Sequence, residues 1–345
     1  MSVLQDKKIL LFIPAGRGNY GTGIAEALEA RGATVYVYDE RPSASTLVKV
    51  WIRLAKKTMG FYLTRYIKSI IQKHQHETID YVLVVRGEGF TPSLVQRLKT
   101  AFPTAKYMLY LWDSLSNTDT RLLFPYFDEL TSFDQADCIA YPVLKHRPQF
   151  FLNQYKALAQ QEPNGVDVIF IGTVHSKRYG ILKKILAQLE QFKLTSFFYL
   201  YFPSKILFLH KKITDADFKD AHLNDFEYKT IKANVVAEKS ANAKASLDMQ
   251  HPRQAGPTMR TIEMVGARRK LITTNATVKG YDFYDPQNIL IIDPHQPIID
   301  PQFLTTPYRD IPEEIYQRYS MDGWVDAMFG ITPLGNYYNY QYNRD

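Results

Sequence analysis

Ile9-Leu10-Leu11-Phe12-Ile13-Pro14-Ala15-Gly16-Arg17-Gly18-Asn19-Tyr20-Gly21 is a continuous apolar run that breaks into a glycine-rich loop. Beyond it, Ile24, Ala25, Ala27 and Leu28 recur at helical spacing up to Gly32, and Val35–Tyr38 is a second apolar run ending at Asp39. A buried strand, a tight loop, an amphipathic helix and another buried strand open a parallel α/β sheet.

The same alternation extends outward. Helical patterns cover Leu47–Thr58, Phe61–Lys73 and Leu94–Phe102, and strand patterns cover Tyr81–Val85 and Tyr107–Trp112. Leu130–Phe133 and Cys138–Tyr141 are two short apolar runs, both read as strands. Gln160-Gln161-Glu162-Pro163-Asn164-Gly165 is polar and carries a turn signal. After it the pattern restarts with strands at Asp167–Ile171, Ser196–Phe202, Ala245–Met249, Lys270–Thr274 and Ile289–Ile292. Helical patterns lie between them. The expected fold is therefore α/β, with two Rossmann-like parallel-sheet domains facing each other across a cleft. Residues 1–160 form the first and 161–310 the second. Residues 311–345 supply helices and a tail packing back towards the first.

Composition narrows the class. Of 345 residues, 46% are hydrophobic and 22% charged, as in an ordinary globular enzyme. Cys138 is the single cysteine, which excludes an internal disulfide and any multi-cysteine metal site. No stretch reads as a signal peptide or membrane span, so the expected location is the cytoplasm. The net charge of +7 favours anionic partners: nucleotide diphosphates or a membrane surface at its inner face. No dense basic run marks nucleic-acid binding.

Three stretches carry chemistry. Gly256-Pro257-Thr258-Met259-Arg260-Thr261-Ile262-Glu263 follows a strand and opens a helix. Pro257 suits a first helical turn, whose free N–H groups bind anions. Arg260 suits phosphate oxygens, and Glu263, on the same face, suits ribose hydroxyls. The ordinary alternative is an i,i+3 ion pair. The second stretch, Phe170-Ile171-Gly172-Thr173-Val174-His175-Ser176-Lys177-Arg178, ends a strand in Gly172 and Thr173 and reaches a helix through Arg178; here the alternative is a plain helix start. The third is the loop with Gly16, Gly18, Asn19 and Tyr20, a literal G-x-G-x-x-G. With Asp39 after the next strand it also fits an NAD-dependent oxidoreductase.

Candidate bases follow strand ends: Glu88 between two glycines, Asp113 after Trp112, and His146. For each, a cap or loop ion pair is the alternative. Asp215-Ala216-Asp217 matches a metal-holding D-x-D but lies in a charged stretch and reads as solvated surface.

With these residues assembled, the second half resembles the CgeB-like branch of GT-B glycosyltransferases, bacterial enzymes of capsule, lipopolysaccharide and spore-coat sugars. The likeness rests on Phe170-Ile171-Gly172-Thr173 with Arg178, Ser246-Leu247-Asp248, Gly256 to Glu263, and Leu271-Ile272-Thr273-Thr274-Asn275. Trp112-Asp113-Ser114 is similar to that family's acidic strand end, with Ser114 where a second acid often stands. The resemblance implies a hexosyl-type transferase that needs no metal or other cofactor, with Gly172, Thr173, Arg260 and Glu263 on the donor nucleotide. The donor would be a nucleotide-diphosphate sugar, UDP favoured, and the acceptor a glycan or lipid-linked sugar in polysaccharide synthesis. A nucleotide-sugar-binding protein without catalysis remains an alternative.

Overall fold

The computed structural model describes residues 3–15, 19–41, 60–174, 178–251, 253–339 and 341. The chain forms two compact units. The first comprises Met1–Gln149, Pro252–Gly256 and Met321–Tyr337; the second comprises Phe150–His251, Pro257–Ser320 and Tyr338–Asp345.

The first unit is built on β1 (Lys8–Ile13), β2 (Thr34–Asp39), β3 (Tyr81–Val85), β4 (Lys106–Leu111), β5 (Glu129–Ser132) and β6 (Lys145–His146). Their order is β2-β1-β3-β4-β5-β6, and every pairing is parallel. β1, β3 and β4 are buried along nearly their whole length, which is why they read as unbroken apolar runs. Leu63, Ile67 and Ile70 recur at helical spacing on Gly60–Lys73 and close one face of the sheet.

The unit is completed by a helix from far along the chain, Met321–Met328. Trp324 on it is fully buried and meets the Tyr110 ring edge-on, centroids 5.1 Å apart. Arg31 ties the same helix down, with Nε 2.6 Å from Asp326 and Nη1 3.0 Å from Asp322.

The second unit holds β7 (Val168–Thr173), β8 (Ser196–Tyr201), β9 (Ala245–Asp248), β10 (Lys270–Thr273) and β11 (Ile289–Ile291), ordered β11-β10-β9-β7-β8 and again parallel. The helices Asn153–Leu158, Ala233–Asn242 and Met259–Ala267 pack together on it. Their carboxyl ends converge on one side chain. Arg269, nearly buried, donates to Ala241 O and Gln161 O, to Ala267 O at 3.0 Å, Arg268 O at 3.2 Å and Leu158 O at 3.4 Å. Carbonyls at a helix end lack intrahelical partners and carry the negative end of the dipole, so one guanidinium serves three helices.

One predicted element changes type. Cys138–Tyr141, expected as a strand, falls mostly in the helix Gln135–Ala140. Asp134 caps that helix, its side chain accepting from Ala136 N, and a run of four residues carries no period that separates helix from strand. Burial pushes the Cys138 thiol up to about 12, so it is not a thiolate at neutral pH.

Candidate functional site

In each sheet the chain order reverses at one point, and in open parallel sheets ligands bind beyond the strands' carboxyl ends at that point. The reversals fall between β1 and β3 in the first unit and between β7 and β9 in the second.

In the second unit, β7 ends in Gly172 and Thr173, and β9 ends in Asp248. Arg178, the first residue of the helix Arg178–Gln191, reaches across the reversal, donating to Thr173 O at 3.1 Å and to Met249 O. Next to it, Thr258 caps the helix Met259–Ala267, accepting from Thr261 N at 3.2 Å. Asp248 holds this cap: its Oδ2 accepts from Thr258 Oγ1 at 2.7 Å and from Thr261 Oγ1 at 3.2 Å. Burial raises the Asp248 carboxyl, and these hydroxyls with Arg178 and Arg260 oppose that rise. A strand end, a helix N-terminus and Arg178 thus share one sheet edge, an arrangement able to hold a phosphate.

Arg260 and Glu263 pair with each other one turn into the helix. Arg260 Nη1 is 3.0 Å from Glu263 Oε2 and donates to Ser240 Oγ at 2.9 Å. Asp248 was not singled out as a site residue on sequence grounds, although its strand end was quoted; its position opposite Thr258 depends on the pairing of β9 with β7.

In the first unit the strand ends carry an ion cluster. Arg86, just past β3, is almost buried and holds a left-handed backbone with φ +82°; Gly87 follows in the same region. An arginine in that region is uncommon, and such strain gathers at functional sites. Its Nε lies 2.8 Å from Asp113 Oδ2, its Nη2 2.9 Å from Glu88 Oε2 and its Nη1 4.0 Å from Glu40 Oε1. Arg41 adds contacts of 3.6 Å to Glu88 and 3.9 Å to Asp39. A small cavity beside this cluster is lined by Ile13, Pro14, Tyr20, Arg86 and Trp112. Tyr20 opens the first helix just after Asn19 and meets Trp112 edge-on, centroids 5.2 Å apart.

Glu40, Arg41 and Arg86 escaped the sequence reading. Glu40 is fully buried, and among the described residues neither of its carboxyl oxygens has a hydrogen-bond partner. Burial pushes it up to about 7, against the pull of Arg86 and Arg41. A folded pKa raised above the unfolded value means that the folded state binds the extra proton, so stability falls as pH rises from about 4.5 through 7. A shift of that size corresponds to roughly 3 kcal/mol at alkaline pH. Glu40→Gln is therefore expected to be more stable than wild type at pH 8 and near parity at pH 5, read by urea denaturation at both. Equal differences at the two pH values would refute the assignment.

Other sequence candidates lie as follows. Gly16 and Gly18 fall outside the described residues, as do Ser176, Lys177 and the Leu47–Thr58 pattern. Asp39 ends β2 and accepts from Arg41 N at 3.2 Å. Burial holds His146 down to about 4, which keeps it neutral. Ser114 donates to Asp134, which also accepts from Ala255 N at 3.0 Å. Asp215 caps a single turn and pairs with Lys211 at 3.2 Å. Among the described residues, no group of three His, Cys, Asp or Glu side chains could hold a metal ion.

Solved structures supply the comparison. A glycosyltransferase from Rickettsia africae superposes with a TM-score of 0.59 at 13% identity, covering 94% of this chain and 97% of its own. A trehalose-phosphate synthase from Burkholderia xenovorans, in complex with glucose-6-phosphate, gives 0.60 at 13% identity over 94% and 99%. HepE from Anabaena, in complex with UDP-glucose, gives 0.58 at 14% identity over 94% and 98%. The fold is GT-B. No family description and no curated protein matches the chain. Within the GT-B frame, the reversal in the second sheet gathers Gly172, Thr173, Arg178, Asp248 and Thr258, and the reversal in the first gathers Arg86, Glu88 and Asp113.

Proposed function

We propose that this chain is a glycosyltransferase that moves a sugar from a nucleotide-diphosphate donor, a UDP-sugar, to a hydroxyl of a glycan or lipid-linked acceptor in cell-surface polysaccharide synthesis at the inner face of the membrane. The observation that carries this reading is the Thr258-capped helix N-terminus beside the ends of β7 and β9, bridged by Arg178. The GT-B neighbour that holds UDP-glucose supports the choice of donor.

In this reading the second unit binds the donor. The diphosphate lies against the first turn of Met259–Ala267, with Gly172 and Thr173 leaving room for it, and Arg260 turns from Glu263 to a phosphate oxygen. Glu263 then accepts from ribose hydroxyls. The first unit supplies the base. Asp113 or Glu88 takes the proton of the acceptor hydroxyl, the acceptor oxygen bonds to the anomeric carbon, and the bond from that carbon to the phosphate oxygen breaks. The departing diphosphate keeps the electron pair, and the helix N-terminus with the guanidinium groups stabilises its charge. Asn19 and Tyr20 border the acceptor.

Thermal shift with UDP, GDP, CMP, TDP, UDP-sugars and NAD(H) tests the donor. UDP at 100 times its dissociation constant should add about 2.7 kcal/mol of apparent stability. Arg260→Ala should lose that gain. Stabilisation by NAD(H) alone, indifferent to Arg260, would move the chemistry to the glycine loop and sink the reading. Transfer should also persist in EDTA; activity abolished by EDTA and restored by Mn²⁺ or Mg²⁺ would overturn a metal-independent mechanism.

A further inference from the structure

The helix Lys205–Thr214 in the second unit is turned inside out. Ser204 caps it, accepting from Leu207 N at 3.1 Å, so its start is fixed. Phe208 is its one buried side chain. On the opposite face Ile206 is 82% exposed, Leu209 50% and Ile213 87%. These positions are three and four residues apart, hence one continuous stripe along the helix. Single exposed apolar residues need no explanation, but a stripe rimmed by polar groups marks an interaction surface.

The rim identifies the partner. The helix carries Lys205, Lys211 and Lys212 and no acidic residue. At 100° per residue Lys205 and Lys212 lie along one flank of the stripe, whereas Lys211 lies opposite it and pairs with Asp215 at 3.2 Å. Two basic residues flanking an exposed apolar stripe are the pattern of a helix lying in a bilayer interface. Lys205 Nζ lies 5.6 Å from the Tyr228 ring centroid and Lys212 Nζ donates to Ala221 O at 2.6 Å, so both charges are held on that flank. The net charge of +7 adds long-range attraction to an anionic surface. Among the described residues no helix is long and apolar enough to cross a membrane, so contact through this helix would be at the surface.

We propose that Lys205–Thr214 is a docking helix for an anionic phospholipid surface, with Ile206, Leu209 and Ile213 entering the acyl boundary and Lys205 and Lys212 meeting the headgroups. In naming a membrane partner the proposal rests on the lipid-linked side of the reading above. Vesicle binding is measured without nucleotide and donor binding without vesicles, so either can fail alone.

The test is co-sedimentation of the full chain with vesicles of phosphatidylcholine containing phosphatidylglycerol, and with pure phosphatidylcholine. Wild type is expected to bind the anionic vesicles, and less at high salt. Ile206→Asp with Ile213→Asp should weaken that binding at least about tenfold while leaving the UDP thermal shift unchanged. Lys205→Ala with Lys212→Ala should also weaken it and flatten the salt dependence. Wild type that stays in the supernatant, or an aspartate variant that binds equally well, overturns the proposal. A self-associated wild type that the aspartate pair renders monomeric, seen by analytical ultracentrifugation, also overturns it, because a second copy would then cover the stripe.

Discussion

Asp113→Asn is expected to lower kcat by about 10²- to 10⁴-fold, the usual contribution of a positioned general base. Two observations select Asp113. Arg86 Nε lies 2.8 Å from its Oδ2, which fixes the carboxylate, and its side chain is 20% exposed against 13% for Glu88. Glu88 is further engaged by Arg41 at 3.6 Å. Asparagine keeps the shape and can still accept from Arg86, and Glu40 and Glu88 remain near that guanidinium, so stability should change by less than about 1 kcal/mol. UDP binding, which the proposal assigns to the other unit, should be untouched. Steady-state kinetics with a UDP-sugar and UDP thermal shift, run together, check both. Unchanged kcat would remove Asp113 as the base, and a loss confined to Glu88→Gln would transfer the role.

The largest stability effect is expected from Arg269→Leu, which should cost about 3–5 kcal/mol, since several buried carbonyls each lose a partner at about 1–3 kcal/mol and water makes up part of the loss. Leucine fills the volume but leaves carbonyls of Ala241, Ala267, Leu158 and Gln161 without that donor. At roughly 2–4 °C per kcal/mol for a unit of this size, the transition of the second unit should fall by on the order of 10 °C. Arg269→Lys should lie between the two, since one ammonium cannot reach three helix ends. Calorimetry of the three proteins decides it; a leucine variant within 1 kcal/mol of wild type would show that water replaces the guanidinium.

The strands were easiest to find where both faces are covered. Ile9–Ile13 and Tyr81–Val85 read directly because a strand buried on both sides needs apolar residues at every position. Cys138–Tyr141 failed because its type is decided by the cap at Asp134, not by the run itself. The strand-end and helix-start edge proposed to hold a phosphate was partly legible as structure, since glycine, proline and threonine mark a helix start in any context. Arg86 with Glu40 was not, because those residues are 46 positions apart and meet only through the order β2-β1-β3. Arg269 was illegible for the same reason: its partners are backbone carbonyls, which every residue carries.

The return of Met321–Met328 to the first unit also governs the order in which the chain can mature. A ribosome delivers the first sheet early, but Trp324 and the partners of Arg31 leave the exit tunnel only after the whole second sheet. Until then Tyr110 lacks its cover, and the nascent first unit is an unfinished body exposed to chaperones and proteases. The five strands of the second unit end at Ile291, so its sheet can form before the first unit receives that helix. In this molecule, the half that is synthesised first must wait for the whole second sheet before it is complete.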